Sequence, residues 1–510
     1  MRPPTPIRHD LVLVGGGHAN VQVLRRWAMA PLPGVRLTVV VDRPDAVYSG
    51  MVPGFIAGQY RRAELEIDVR PLARRAGARF VVAPAVGLDP AARRLRLDGR
   101  PPLPYDTAAF DVGSTVAGLE LPGVATHAVP TRPIGDLVRR VDEVLARARG
   151  GSALRVTVVG GGAGGVELGF AFQARLARAG VTPRVTLLEA GDRVLPGYAA
   201  GAARRVAREA TRRGIAIRLR ARVREARADA VVLDGGEVLE TDALLWVAGA
   251  ARHPLFADAG LETDARGFVR VGSTLQCVGH PELFAVGDCA SLAHAPDLPK
   301  AGVYAVRAGP VLAHNLHALL TGGALREYHP QRDYLSLLNL GDGRAIGAKW
   351  GLAATGRSVF RLKDAIDRRF MRRFQVLAPD GTELPEFAAQ RSMGDDDMPC
   401  GGCAAKVGES VLARALARVG VRDDPAVVLG LATPDDAAAV VTGTGSLVVS
   451  SVDAFRAFTD DPWLTGRVAA VNAASDLWAK GTAPRFAQAV IAVPDEDPAR
   501  ARRSTRPASR

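Results

Sequence analysis

Cysteine is scarce in this chain. Its 510 residues hold four, Cys277, Cys289, Cys400 and Cys403, and none precedes position 277. That excludes a disulfide-built scaffold and any redox dithiol in the N-terminal half. Histidine stops at His329, so Cys400 and Cys403 find no downstream Cys/His pair with which to close a zinc site within this chain. Aromatic residues make up only 5%. No basic tract is interleaved with them, so the usual footprint of nucleic-acid binding is missing. No apolar run reaches the roughly 18 residues of a membrane-spanning helix. The opening segment, MRPPTPIRHD, lacks the apolar core of a secretory leader. The expectation is a cytoplasmic protein.

What is present points to a large globular chain. Hydrophobic residues make up 48%, and the length suggests about three domains. The formal net charge is +13. An arginine-rich composition accounts for it, and attraction to anionic lipid or anionic cofactors is the functional alternative.

The most informative stretch is Val156–Glu189. An apolar strand runs into Gly160-Gly161-Gly162-Ala163-Gly164-Gly165, and a helical pattern follows. Gly160, Gly162 and Gly165 fit G-x-G-x-x-G. The first allows a tight turn, the second lets backbone approach a pyrophosphate, and the third lets helix pack on strand. The next strand pattern ends in Glu189, an acid about 20 residues on, as a ribose 2′-OH requires. Glu189 would repel a 2′-phosphate, so NADH is favoured over NADPH. A second, less complete copy opens the chain. Leu11–Val14 leads into Gly15-Gly16-Gly17, and Asp42 closes the next strand. Asn20 stands where the third glycine would be, so this helix is expected to sit slightly further from its strand.

The remaining chain reads in order. Tyr48–Phe55 looks like an irregular loop, Arg79–Leu97 like a pair of strands. Leu283–Ala290 is a short buried strand ending in Gly287-Asp288, with the aspartate at a helix start. Ser358–Phe374 is a basic amphipathic helix with Val359, Leu362, Ile366, Phe370 and Phe374 on one stripe. It is expected either to pack on the body or to lie on a membrane surface.

Together, Gly15–Asp42, Gly160–Glu189 and Phe284–Ala290 resemble the type-II NADH dehydrogenase branch of the pyridine nucleotide–disulfide oxidoreductases. The resemblance covers roughly residues 9–375. It implies an α/β fold of two Rossmann-like domains, the NADH domain (121–255) inserted between two parts of the FAD domain (9–120 and 256–325). C-terminal strands and the basic helix (326–376) follow. It implies FAD held by Gly15, Gly17, Asp42, Gly287 and Asp288, and NADH held by Gly160, Gly162, Gly165 and Glu189. The mechanism it implies is hydride transfer from NADH to flavin. Without an N-terminal dithiol, the resemblance implies a quinone as acceptor, with oxygen or a small oxidised inorganic species as the alternative; peripheral contact at the inner face of the membrane through 358–374 goes with the quinone reading.

A linker (377–398) leads to another unit (399–494) and a disordered tail (495–510). Alone, Cys400–Cys403 reads as a redox dithiol or half a zinc site. With Thr433–Asp436, Ser451–Phe455 and Gly466–Gly481, it resembles the N-terminal part of selenophosphate synthetase (selenide, water dikinase). The resemblance implies catalytic roles for Cys403 and Lys406, and Mg²⁺ held by Asp436 and Asp453 against ATP, with Asn472 and Asp476 nearby. A thiolate beside an ammonium is sensible chemistry for handling selenide, and carboxylates suit Mg²⁺. The module is truncated relative to that family. Because the family's core is built by dimerisation, a homodimer is implied. A bifunctional selenium enzyme, with the flavoprotein half supplying reduced selenium, is the alternative reading.

Overall fold

The computed structural model describes residues 6–147, 153–331, 333–374, 409–419, 424–431, 435–454, 457–459 and 461–491. The chain divides into two compact units, Ile7–Leu384 and Pro385–Arg510.

The first unit is built on two large sheets, one wholly parallel and one parallel apart from the strand Gln276–Cys277, which runs antiparallel to both its neighbours. Strand β1 (His9–Val14) enters helix α1 (His18–Met29), which returns to β2 (Val35–Val41). Beyond β2 lies β3 (Arg79–Val82), and on the other side of β1 lies β4 (Thr107–Phe110). Leu11 and Leu13 of β1 are fully buried, as expected of a parallel strand covered on both faces.

The chain then leaves this sheet for a second one. It comprises β5 (Val129–Pro130), β6 (Ala153–Val159), β7 (Thr182–Leu188), β8 (Ala216–Arg218) and β9 (Ala243–Trp246), in the order β5-β9-β6-β7-β8. Helix α2 (Ala163–Arg178) links β6 to β7, and α3 (Ala200–Arg212) links β7 to β8. After β10 (Val269–Val271) and β11 (Gln276–Cys277), the chain lays β12 (His280–Ala285) back against β4, pairing Leu283 with Ala108. With β13 (Ala290–Leu292) the first sheet has eight strands, in the order β13-β10-β11-β12-β4-β1-β2-β3. The second Rossmann sheet is thus an insertion in the first.

Helix α4 (Gly302–Thr321) packs on α1 and carries Pro310 in its interior. Proline donates no hydrogen bond, so a carbonyl one turn earlier loses its partner. Gln22 of α1 replaces it, its Nε2 donating to the Val306 carbonyl at 2.8 Å. Gly309 makes room, because a Cβ there would lie 2.4 Å from that Nε2.

Three sequence expectations change. Tyr48–Phe55 is not irregular: Ser49–Met51 forms a 3-10 turn and Val52–Ile56 a helical one, with Met51 and Ile56 fully buried. Apolar side chains between the Gly and Pro residues drive that burial. The Arg79–Leu97 pair is three strands, since Arg79–Val82 joins the main sheet while Ala85–Asp89 and Arg94–Leu97 form a separate hairpin. The amphipathic helix is also seated differently. Strands β14 (Ser336–Asn339), β15 (Ala345–Lys349) and β16 (Leu352–Gly356) lead into α5 (Arg357–Met371). It packs on the body through Lys363, Asp367, Phe370 and Met371, while Leu362 and Ile366 stay 48% and 44% exposed. An ion pair decides this rotation. Lys363 Nζ donates to Asp367 Oδ2 at 2.6 Å and to the Gly50 carbonyl at 2.7 Å, and the Tyr48 hydroxyl donates to Asp367 Oδ1. With both charges satisfied, the pair can be buried.

The second unit holds α6 (Glu409–Val419), an antiparallel sheet of β17 (Val427–Leu429), β18 (Ala438–Val441) and β19 (Leu447–Ser450), and α7 (Pro462–Ala479). Asp461 caps α7, accepting from the Trp463 and Leu464 amides. Val452, Val471 and Trp478 are exposed. The linker, Cys400, Cys403, Lys406 and the 495–510 tail lie outside the described residues.

Lys363→Met should destabilise the first unit by about 3 kcal/mol, because it strands a buried carboxylate. The double change Lys363→Met with Asp367→Leu should recover most of that loss. Urea denaturation followed by tryptophan fluorescence measures both.

Candidate functional site

Each sheet places a glycine turn at the carboxyl end of an interior strand, β1 in the first and β6 in the second. In the first, Gly15 has φ +92°, and a Cβ there would sit 2.4 Å from the Asp111 carbonyl oxygen. Only glycine fits a turn so close to the neighbouring strand. Asn20 does not simply push α1 away. It is buried, and its Nδ2 donates to the Val14 and Gly15 carbonyls at 3.0 and 2.9 Å. Hydrogen bonds to the turn thus do the work of a third glycine. Asp42 stands exposed just past β2, beside Arg43.

The second turn follows the full glycine pattern. Gly160 has φ +116°, with its Cβ position 2.4 Å from the Val247 carbonyl oxygen. At Gly165 a Cβ would meet the Gly160 carbonyl oxygen at 1.8 Å, so the third glycine brings α2 onto the turn. In front of Gly162 the space is open, with nothing within 4 Å of a Cβ. Glu189, just past β7, turns its carboxylate onto this loop and accepts from the Gly161 amide at 2.7 Å and the Gly191 amide at 2.6 Å.

Gly287 and Asp288 follow β12 in a short 3-10 turn, Gly287–Cys289, rather than starting an α-helix. Asp288 pairs with Arg132, which also donates to Ser114. Gly17 and Gly287 meet around one side chain that motif spacing does not reveal, Asp111, whose backbone carbonyl faces Gly15. Its carboxyl lies 2.2–2.4 Å from a Cβ built on Gly17, and its Oδ1 lies 2.7 Å from one built on Gly287.

Two other groups escaped the sequence reading. His18 packs edge-on against Tyr48, its centroid 5.2 Å away, and its Nε2 is buried without a partner. Burial lowers its pKa to about 4, so the ring is neutral at physiological pH. Glu167 of α2 accepts from the Asn339 amide at 2.7 Å. Desolvation raises its pKa to about 7, with Lys363 pulling the other way. Glu167 and Lys363 come from separate segments, so only the fold brings them near.

In the second unit, Asn472 Nδ2 donates to Asp453 Oδ2 at 3.1 Å, and Ser451 Oγ to Asp476 Oδ2 at 2.9 Å. Asp436 lies exposed beside Asp435, which pairs with Lys480 at 2.6 Å. That contact holds Asp435 below the usual carboxylate range. Among the described residues no three metal-ligating side chains converge.

The sequence profile described as pyridine nucleotide-disulphide oxidoreductase matches residues 9–315. The chain belongs to that family. A second profile, AIR synthase related protein, N-terminal domain, matches residues 434–507. NADH dehydrogenase-like protein YutJ of Bacillus subtilis is 26% identical over 365 residues, covering 70% of this chain and 97% of its own length. Selenide, water dikinase of Myxococcus xanthus is 42% identical over 99 residues, covering 19% of this chain and 28% of its own length. This chain therefore spans well under half of that relative. Among solved structures, the sulfide:quinone oxidoreductase of Aquifex aeolicus superposes with TM-score 0.62 at 16% identity, covering 75% of this chain and 94% of its own. NDH2 of Plasmodium falciparum in complex with NADH superposes with TM-score 0.62 at 13% identity, covering 72% and 97%. At these identities the likeness is one of fold.

Within this oxidoreductase the two glycines of the second turn should respond differently. Gly165→Ala should destabilise it by about 1–3 kcal/mol through overpacking. Gly162→Ala should stay within about 0.5 kcal/mol, because its Cβ enters open space. Thermal melts of the two variants check the contrast.

Proposed function

We propose that this chain passes electrons from NADH through a bound FAD to a quinone. The observation that carries this reading is the pair of dinucleotide turns within one unit, one of them closed by Glu189. FAD suits the first turn, where Gly15, Gly17 and Gly287 gather around Asp111 at the N-terminus of α1, with Asp42 past β2 and Asp288 at the return strand. NADH suits the second, through the open face of Gly162, the close-packed Gly165 and the acid at 189. When bound, the flavin supplies hydride acceptance and onward electron delivery. The chain's own task is to position both dinucleotides and exclude water.

The acceptor follows from what the chain offers. In Ile7–Leu384 the cysteines are Cys277 and Cys289, both buried and free. Burial pushes Cys289 up to about 12 and raises Cys277 as well. Both remain thiols, which does not suit a dithiol relay. A quinone agrees with the fold shared with a sulfide:quinone oxidoreductase. It also agrees with the surface. Leu362 and Ile366 share the outer face of α5 with Arg361 and Arg369, and Trp350 and Leu352 at the β15–β16 turn are 74% and 75% exposed. Apolar side chains ringed by arginine suit the surface of an anionic membrane. No described helix is long and apolar enough to cross one.

A second reading rests on the dikinase-like segment. There the flavoprotein supplies reduced selenium to an ATP- and Mg²⁺-dependent half carried by Cys403, Lys406, Asp436 and Asp453. Release of phosphate from ATP that depends on selenide would favour it.

The purified chain should show oxidised-flavin bands that NADH bleaches anaerobically and a soluble quinone restores. A colourless protein, or a flavin that NADH leaves oxidised, overturns the reading. Glu189→Ala should reduce the preference for NADH over NADPH by roughly tenfold, the value of one charged hydrogen bond. Wild-type protein that uses both equally would refute the role given to Glu189.

A further inference from the structure

The two glycine turns are internal copies of one motif, and they differ at one position. Val14 pairs with Phe110 in the first sheet, and Val159 with Trp246 in the second. The next residues, Asp111 and Val247, therefore occupy the same place. Each holds its carbonyl oxygen 2.4 Å from a Cβ built on the first glycine of its turn. In the second sheet the side chain there is apolar, and the space before Gly162 is open. In the first it is a carboxyl, and it fills the space before Gly17. Asp111 is 4% exposed. Its Oδ2 accepts from the Ala19 amide at 2.7 Å and the Asn20 amide at 3.3 Å, the N-terminal donors of α1. A pyrophosphate is attracted to the same donors.

The surroundings offer Asp111 no cation. From the Gly287 turn it faces Asp288, whose charge is answered by Arg132, and the buried Cys289 thiol. On α1, His18 is neutral and Asn20 turns its amide group to the turn carbonyls. Lys300, ahead of α4, donates to the Ala290 carbonyl. Among the described residues no Lys or Arg pairs with Asp111. Burial, with Asp288 adding to it, raises its pKa to about 6 against the pull of the helix amides. Two phosphate charges arriving beside it would raise it further.

Resting on the reading of the first turn as a flavin dinucleotide site, we propose that Asp111 is the proton-linked residue of that site. It meets the pyrophosphate as a neutral acid, keeping its proton and hydrogen-bonding through the carboxyl O–H to a phosphate oxygen, so each FAD bound is accompanied by one proton taken up by Asp111 from water. The sign follows. The group's pKa is higher with FAD bound than without, so affinity is level below about pH 6 and falls as pH rises through the interval between the two values. Val247 makes no such demand of the nicotinamide dinucleotide, so affinity there carries no matching dependence.

The test is calorimetric titration of FAD into flavin-stripped full-length protein in phosphate and in Tris at pH 7.5, together with dissociation constants at pH 6, 7 and 8 from flavin fluorescence. The expected result is uptake of close to one proton per FAD and an affinity that falls about tenfold per pH unit above pH 6. Asp111→Asn, neutral throughout and of the same shape, should bind FAD without proton uptake, with level affinity, and at least about tenfold more tightly than wild type at pH 8. Tight FAD binding with no proton uptake overturns the proposal while leaving the flavoprotein reading intact. Failure to bind FAD at any pH overturns both. Should the variant not fold, the wild-type proton count decides alone.

Discussion

Everything in the first unit depends on how closely a turn can approach the strand beside it. At Gly15 and at Gly160 the position of a Cβ is taken by a carbonyl oxygen of the adjacent strand. That contact fixes where each strand ends and where each helix begins, and so where the helix amides point. It requires a parallel strand next to β1 and to β6. In the first sheet that neighbour, β4, is itself held on its far side by β12, which arrives from much later in the chain. The insertion of the second sheet is therefore part of what builds the first turn.

The same economy of space recurs away from the turns. Pro310 leaves a carbonyl without its helical partner, and Gly309 beside it lets Gln22 reach in and supply one. A defect in α4 thereby becomes the contact that seats α1, the helix that begins at the first turn. Asn20 acts similarly two residues earlier, exchanging close packing for two hydrogen bonds to the loop. The first copy of the motif is imperfect by pattern and well satisfied in structure.

Elements made by local pattern were legible in the sequence. The two strand–glycine–helix units, the acid at 189 and the returning Gly287-Asp288 strand all announce themselves through spacing. Contacts between distant segments were not. The stripe of Val359, Leu362, Ile366 and Phe370 suggests an inward apolar face, yet Lys363 and Asp367 take that side because Tyr48 and the Gly50 carbonyl lie opposite. Asp111 ends a strand of no special pattern, and its importance appears only when Gly17 and Gly287 close around it. Likewise Glu167 reads as one more helical residue until Lys363, two hundred positions later, is folded toward it.

Burial and the pairing of charges together decide which groups of the first unit face outward. Cys277 and Cys289 are sealed as thiols, so the sheet that holds the first turn has no sulfur relay to offer. Exposed apolar side chains collect instead on α5 and at the β15–β16 turn, set among arginines. The inner face of the same helix runs through Lys363, Asp367 and Tyr48 to the ring of His18 at the start of α1. One helix thus joins the first glycine turn to an apolar, basic surface. A buried ion pair sets its rotation, because turning the apolar stripe inward would leave Lys363 and Asp367 facing outward and the Gly50 carbonyl without its donor.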